Sequence, residues 1–143
     1  MNSRQYKRPE SVLVIVYNDV GEVLLLQRIR PAGFWQSVTG ALERDETPLA
    51  AARRELLEET GLPVAVRDCC QVNEFPILPA WRSRYAPGTE KNREYVFSAA
   101  CTGRPAVCID PLEHREYCWL PKQAAAGRAS SWTNRDAILA HVP

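Results

Sequence analysis

An α/β sandwich is the fold class that the chain predicts, and three features predict it. Dense apolar, β-branched runs recur between clusters of turn residues, as strands do. Two helical segments, at 47–60 and from 131–133 to about 141, interrupt those runs. No repeat, low-complexity tract or linker divides the 143 residues, so one domain, 1–143, is expected. Strands and helices in such a chain pack as layers, each burying its apolar face on the next.

Residues 11–17 (Ser-Val-Leu-Val-Ile-Val-Tyr) are a dense β-branched run, hence a buried strand. Asn18-Asp19-Val20-Gly21 is a turn, and residues 22–28 return as a second strand, which makes a hairpin. Residues 34–38, short and aromatic, read as a strand leading into Gly40. A helix follows at about 47–60, with Thr47 as N-cap, Pro48 in the first helical position and Gly61 as a left-handed stop. Residues 62–70 and 72–77 read as two further strands. Residues 78–92 contain Pro, Arg and Gly and exceed a plain connector, which makes them a candidate functional lid. A strand at 94–101, a loop at 103–111, a short strand at 116–120 and the final helix complete the chain.

Composition narrows the function classes. Lys+Arg is 18 against Asp+Glu 17, a net charge of +1, which argues against a nucleic-acid scaffold or a polybasic membrane patch. No apolar run approaches a membrane span, and the polar start Met1-Asn2-Ser3-Arg4-Gln5 is unlike a signal peptide, so the cytoplasm is the expected location. The five cysteines (Cys69, Cys70, Cys101, Cys108, Cys118) are odd in number and form no C-x-x-C pair. Reduced, mostly buried thiols are expected rather than a disulfide set or a zinc site.

The helix at 47–60 carries the chemistry. Leu49, Ala52, Leu56 and Arg53 share one face, and Glu55, Glu58 and Glu59 share another. Carboxylates so placed repel one another and, near the helix C-terminus, oppose the macrodipole. A divalent cation removes both penalties, and hard oxygen ligands suit Mg²⁺, which keeps waters and substrate phosphates in its shell. The glutamates alone would also describe a solvated acidic face paired with Arg53 and Arg54. The register argues otherwise. Gly40, Glu46, Arg54, Glu55, Leu56, Glu58, Glu59, Gly61 and Leu62 fit Gly-x5-Glu-x7-Arg-Glu-aliphatic-x-Glu-Glu-x-Gly-aliphatic without a mismatch. This pattern resembles the signature of the Nudix hydrolases.

The resemblance implies an α/β/α sandwich around a mixed β-sheet, with the signature as a loop–helix–loop. It also implies hydrolysis of a nucleoside diphosphate linked to another group. Phosphoanhydride cleavage needs charge neutralisation and an aligned water more than covalent chemistry. By the family pattern, Glu55 and Glu59 are the principal metal ligands, and Glu58 assists through metal or water. Gly40 lets the backbone approach a metal or phosphate. Arg54 holds a glutamate by a charge-assisted bond, the glutamate being left unassigned. Mg²⁺ is the expected cofactor, with Mn²⁺ able to substitute. The general base is open between the signature helix and a later loop. Glu113 is the favoured outside candidate for ligand or base, with Glu58, Glu90 and Glu116 as rivals. His114 and His141 are expected at the surface rather than in catalysis.

Further segments extend the likeness from about residue 6 to 140: Tyr6-Lys7-Arg8-Pro9, Leu26-Gln27-Arg28, the run from Phe34 to Gly40, Arg84-Tyr85-Ala86-Pro87-Gly88 and Ser131-Trp132-Thr133-Asn134-Arg135. Together they resemble a bacterial branch of the family that removes pyrophosphate from a pterin triphosphate in folate synthesis. A small-molecule triphosphate is the implied partner, with neither nucleic acid nor membrane; the oligomeric state is left unassigned. A triphosphate needs cations besides the metal, and Lys7 and Arg28 are the candidates, with Arg82, Arg84 and Lys91 on the loop as further ones. Thr39 and Ser131 are candidate hydrogen-bond donors. For the flat ring, Trp35, Phe75 and Trp81 are candidate stackers, and Asn73 with the backbone at 75–78 a candidate edge reader. For Trp35, core packing is an equal alternative.

Two other readings stay open. One is housekeeping hydrolysis of (deoxy)nucleoside triphosphates, oxidised purines included, because pterin and purine share an amino-oxo-pyrimidine edge. The other is a non-catalytic Nudix binding module, against which stands the full set of signature glutamates. ADP-ribose hydrolysis would call for a proline at a set distance past the signature, and neither Pro76 nor Pro79 fits it well.

Overall fold

Strand β1 (Glu10–Asn18) organises the molecule because it is apolar on both sides. Val12, Val14 and Val16 face one way and Leu13 and Ile15 the other, none more than 2% exposed. The computed structural model describes residues 6–143. After β1 come β2 (Glu22–Arg28), β3 (Trp35–Gln36), β4 (Val38–Ala41), α1 (Pro48–Thr60), β5 (Arg67–Pro76), a 3₁₀ turn (Pro79–Arg84), β6 (Lys91–Cys101), β7 (His114–Pro121), α2 (Lys122–Arg128) and α3 (Trp132–His141). The strands form one sheet in the order β3-β2-β1-β6-β5, with β4 also on β1 and β7 also on β2. It is mixed: β6 runs parallel to β1, and the other pairs are antiparallel.

Each face of the sheet has its own core. Val12, Val14, Val16, Leu24, Leu26 and Phe97 pack with Ala51, Ala52 and Leu56 of α1. Leu13, Ile15, Leu25 and Val96 pack with Ala125 and Ala126 of α2 and Ala137 and Ile138 of α3. The result is the expected α/β/α sandwich. Every fully buried Val, Leu or Ile side chain contributes about 1.5–3 kcal/mol to it.

The helix α1 has the expected limits. Thr47 accepts a hydrogen bond from the Ala50 N–H at 3.2 Å, Pro48 opens the helix, and Gly61 ends it at φ 72°. Its inward face is different. Leu49 is 38% exposed, and the buried residues are Ala51, Ala52, Leu56, Glu59 and Thr60. The helix is therefore rolled so that Glu59, not Leu49, points towards the sheet.

Other segments depart from expectation for identifiable reasons. The hairpin β1–β2 is registered at Tyr17 opposite Val23, next to its turn. Further along, β4 lies against Ser11–Val14 of β1, and β7 lies along β2. The expected strand at 34–38 breaks at Ser37, where the chain passes from β2 to β1. Asn134 of α3 pins this break: its Oδ1 accepts the Ser37 N–H at 2.7 Å, and its Nδ2 donates to Ser37 Oγ at 2.9 Å. The two strands expected at 62–70 and 72–77 are one, β5, because a bulge between Asp68 and Gln71 absorbs the break in pattern. Cys70 there has φ 55°, and residues 62–66 are irregular. Helix α2 was not expected; its run Lys-Gln-Ala-Ala-Ala consists of good helix formers.

All five cysteines are free thiols, but none is deeply buried: Cys69, Cys101 and Cys118 are half-buried and Cys70 and Cys108 exposed. Among the described residues, no helix is long and apolar enough to cross a membrane.

Candidate active site

The signature loop and helix converge on Arg54. Its Nε donates to Glu46 Oε2 at 2.8 Å and its Nη2 to Glu46 Oε1 at 2.9 Å, a two-point clamp. Nη1 reaches Glu55 Oε1 at 2.8 Å and Glu58 Oε2 at 3.1 Å, and Nη2 also reaches the Ala41 carbonyl at 3.1 Å. The Arg54 guanidinium lowers the Glu46 carboxyl pKa to about 2. The glutamate held by Arg54, unassigned from the sequence, is thus chiefly Glu46. A second arginine secures the same loop: Arg8 Nη1 donates to the carbonyls of Glu43 at 2.8 Å and Glu46 at 2.9 Å.

The helical glutamates, alike in spacing, differ in surroundings. The Glu58 side chain is 57% exposed, and that of Glu55 is 13% exposed beside Arg54. Glu59 is buried, and among the described residues its Oε1 has no hydrogen-bond partner. Burial raises the Glu59 pKa well above the usual carboxylate range, and the neighbouring Glu55 and Glu113 carboxyls raise it further. Gly40 lies against this group: a Cβ there would stand 2.2 Å from the Glu55 carboxyl carbon. The close approach at Gly40 is therefore to a glutamate side chain.

Among the described residues, no three His, Cys, Asp or Glu side chains stand as a ready-made cage. The donor set nevertheless fits a divalent cation. An unpartnered buried carboxylate oxygen lies near two more carboxylates, all hard donors whose mutual repulsion a cation would relieve.

His114 corrects an expectation. It is 3% exposed, not at the surface, and its Nε2 is 3.6 Å from Glu59 Oε1. Burial and Arg28 lower its pKa, so it sits beside Glu59 mainly as a neutral ring. Strand β7 starts at His114 and sets it opposite Arg28 of β2. His141 is half-buried, with Nε2 2.5 Å from Gln71 Oε1.

A cleft of about 1240 Å³ runs from these carboxylates over the sheet. Glu55, Glu59, Glu113, Gly40 and Arg54 line it; so do Lys7, Arg28 and Arg84. The three cations are close enough that burial, Arg84 and Arg28 together lower the Lys7 pKa. Such a cluster suits an anion. The Lys7 N–H donates to the Arg84 carbonyl at 2.9 Å, which ties the loop after β5 to the chain before β1.

Phe75, Trp81 and Ser131 also line the cleft. Ser131 caps α3, accepting the Asn134 N–H at 3.2 Å.

Several candidates are placed otherwise. Trp35 is not in the cleft wall: it packs against the second core, under the Arg128 guanidinium at 5.4 Å, so core packing takes it. Thr39 lines the cleft, but its hydroxyl donates to the Val12 carbonyl at 2.9 Å, so it offers a ligand no proton. Arg82 points back to the Ile77 carbonyl at 3.1 Å. Arg82, Lys91, Asn73, Glu58, Glu90 and Glu116 are absent from the wall. Unforeseen lining residues are Phe34, Trp132, Thr133, Asn92 and Glu94. The alternation Asn92, Glu94, Val96, Ser98 in β6 was the available signal, since polar residues there continue an inward face.

An α/β/α sandwich with this capped helix, arginine clamp and carboxylate cluster defines a Nudix-type hydrolase domain. The chain belongs to the NUDIX domain family, whose model matches residues 7–142. It is 42% identical to dihydroneopterin triphosphate diphosphatase of Escherichia coli K12, over 96% of this chain and 95% of that protein. The Haemophilus influenzae protein of the same name is 40% identical, over 96% and 90% respectively. Among solved structures, the Escherichia coli dihydroneopterin triphosphate pyrophosphohydrolase superposes with a TM-score of 0.88 at 41% identity, covering 97% of this chain and 98% of that one.

Proposed function

We propose that this protein is a Mg²⁺-dependent diphosphatase that converts dihydroneopterin triphosphate to dihydroneopterin monophosphate and pyrophosphate. The observation that carries the reading is the meeting, in one cleft, of three carboxylates centred on buried Glu59 and three clustered cations. Near full-length similarity to two diphosphatases of that name supports the substrate.

Glu55 and Glu59 would hold the metal. When bound, a divalent cation neutralises phosphate charge and acidifies a water. The protein supplies the rest. Arg54 fixes the signature loop and orients Glu55 by direct hydrogen bonds. Lys7, Arg28 and Arg84 bind phosphate oxygens and draw the chain into line. Glu113 accepts the proton of the attacking water at its carboxylate; Glu58 suits that task less, being tied to Arg54 outside the cleft wall. Phe75, Trp81 and Trp132 give the ring apolar faces in the cleft wall.

The test is kcat/KM with Mg²⁺ for dihydroneopterin triphosphate beside dATP, dGTP and 8-oxo-dGTP, following pyrophosphate. A pterin preference of about tenfold or more, roughly 1.4 kcal/mol of differential transition-state binding, is expected. A flat profile, or a purine preference, would instead assign the protein to nucleotide housekeeping.

A further inference from the structure

Strand β6 places a carboxylate in the cleft that the phosphate chemistry does not use. Glu94 is 6% exposed and lines the cleft wall. Its partners are neutral: Asn73 Nδ2 donates to Oε1 at 3.2 Å, and the Thr133 hydroxyl also donates to the carboxyl. Among the described residues, no cation pairs with it. Buried carboxylates are normally paired with a cation or with several strong donors. Here two donors orient the group and leave acceptor capacity facing the cleft.

The sheet register says what would approach it. Asn73 lies opposite Glu94, and Phe75 lies opposite Asn92. Phe75 is therefore the diagonal neighbour of Glu94 on the same face, and such pairs lie within reach of one aromatic ring. A flat heterocycle resting on Phe75 would carry its edge to the carboxylate.

We propose that Glu94 is the specificity residue of this site, accepting paired hydrogen bonds from the ring N–H and amino N–H of a 2-amino-4-oxopyrimidine edge. That edge presents two parallel donors, as a guanidinium does, and a carboxylate accepts both. Adenine presents an acceptor nitrogen beside its amino group, and the acceptor repels a carboxylate lone pair. The inference rests on the proposed reading for its triphosphate substrate. The recognition itself extends to any ring with the same edge, guanine included.

Glu94→Gln keeps the shape but replaces one acceptor by a donor. Expected for this variant is a loss of about tenfold or more in kcat/KM on dihydroneopterin triphosphate and dGTP, carried mainly by KM. The dATP value should stay level or rise. Glu94→Asp, which keeps two acceptors on a shorter arm, should lose less than the glutamine variant. A thermal melt establishes that each variant is folded. Calorimetric binding of dGMP and dAMP repeats the comparison without turnover. An equal loss on all substrates, or none, overturns the inference. If the wild type ignores the pterin but its dGTP-over-dATP preference collapses in Glu94→Gln, the pterin reading fails and the Glu94 inference stands.

Discussion

Glu59 bears a sharp electrostatic conflict. It is buried, has an unpartnered oxygen and lies beside two other carboxyls, an arrangement that costs stability until a positive charge arrives. Glu59→Gln removes the charge while keeping the shape. The fold should survive and turnover should fall at least about a hundredfold, as loss of a charge-stabilising group does; pyrophosphate release beside a thermal melt checks both. Near-normal turnover would exclude Glu59 from the metal set. Residue types and spacing made the glutamates legible as a group. Their division did not follow from spacing, because it depends on how α1 is rolled against the sheet: Glu59 faces inward and Glu58 outward. The burial of His114 is hidden from the sequence for a related reason. Its burial comes from β7 pairing with β2, a contact between distant segments.

The ends of α1 are set by local chemistry at the scale of the element. Thr47→Ala should lower stability by about 1 kcal/mol through loss of the cap. Gly61→Ala should cost about as much or more, since φ is 72° and the added Cβ would stand 3.3 Å from Cys108 Cβ. Urea denaturation of both variants measures this, and an unchanged midpoint would rule out a capping role. Elements with strong local punctuation, such as α1, β1 and β2, were readable from sequence. Others were not. The 34–38 run splits only because Asn134, far along the chain, holds Ser37. The join of 62–70 with 72–77 into β5 depends on pairing with β6 across a bulge.

For the whole molecule, metal binding and folding are linked. A cation that binds only the folded cluster should stabilise the protein by about 2.7 kcal/mol at a hundred times its dissociation constant. For a chain of this size that is on the order of ten degrees in Tm. The melt with and without Mg²⁺, and with a chelator, reads this directly. In Glu59→Gln the Mg²⁺ shift should shrink or vanish. An equal shift in both proteins would place the ion elsewhere.

The sequence alone determined the sandwich class, the capped signature helix and the grouping of its glutamates, because each rests on spacing within a few helical turns or on a run of β-branched residues. The tertiary structure alone decided which glutamate is buried, which arginines turn to the cleft and that Trp35 belongs to the core. It also placed Glu94 diagonally across from Phe75 in the cleft wall. These outcomes depend on strands and loops distant in sequence meeting across one sheet, and no local pattern records which face of a neighbour a side chain will meet.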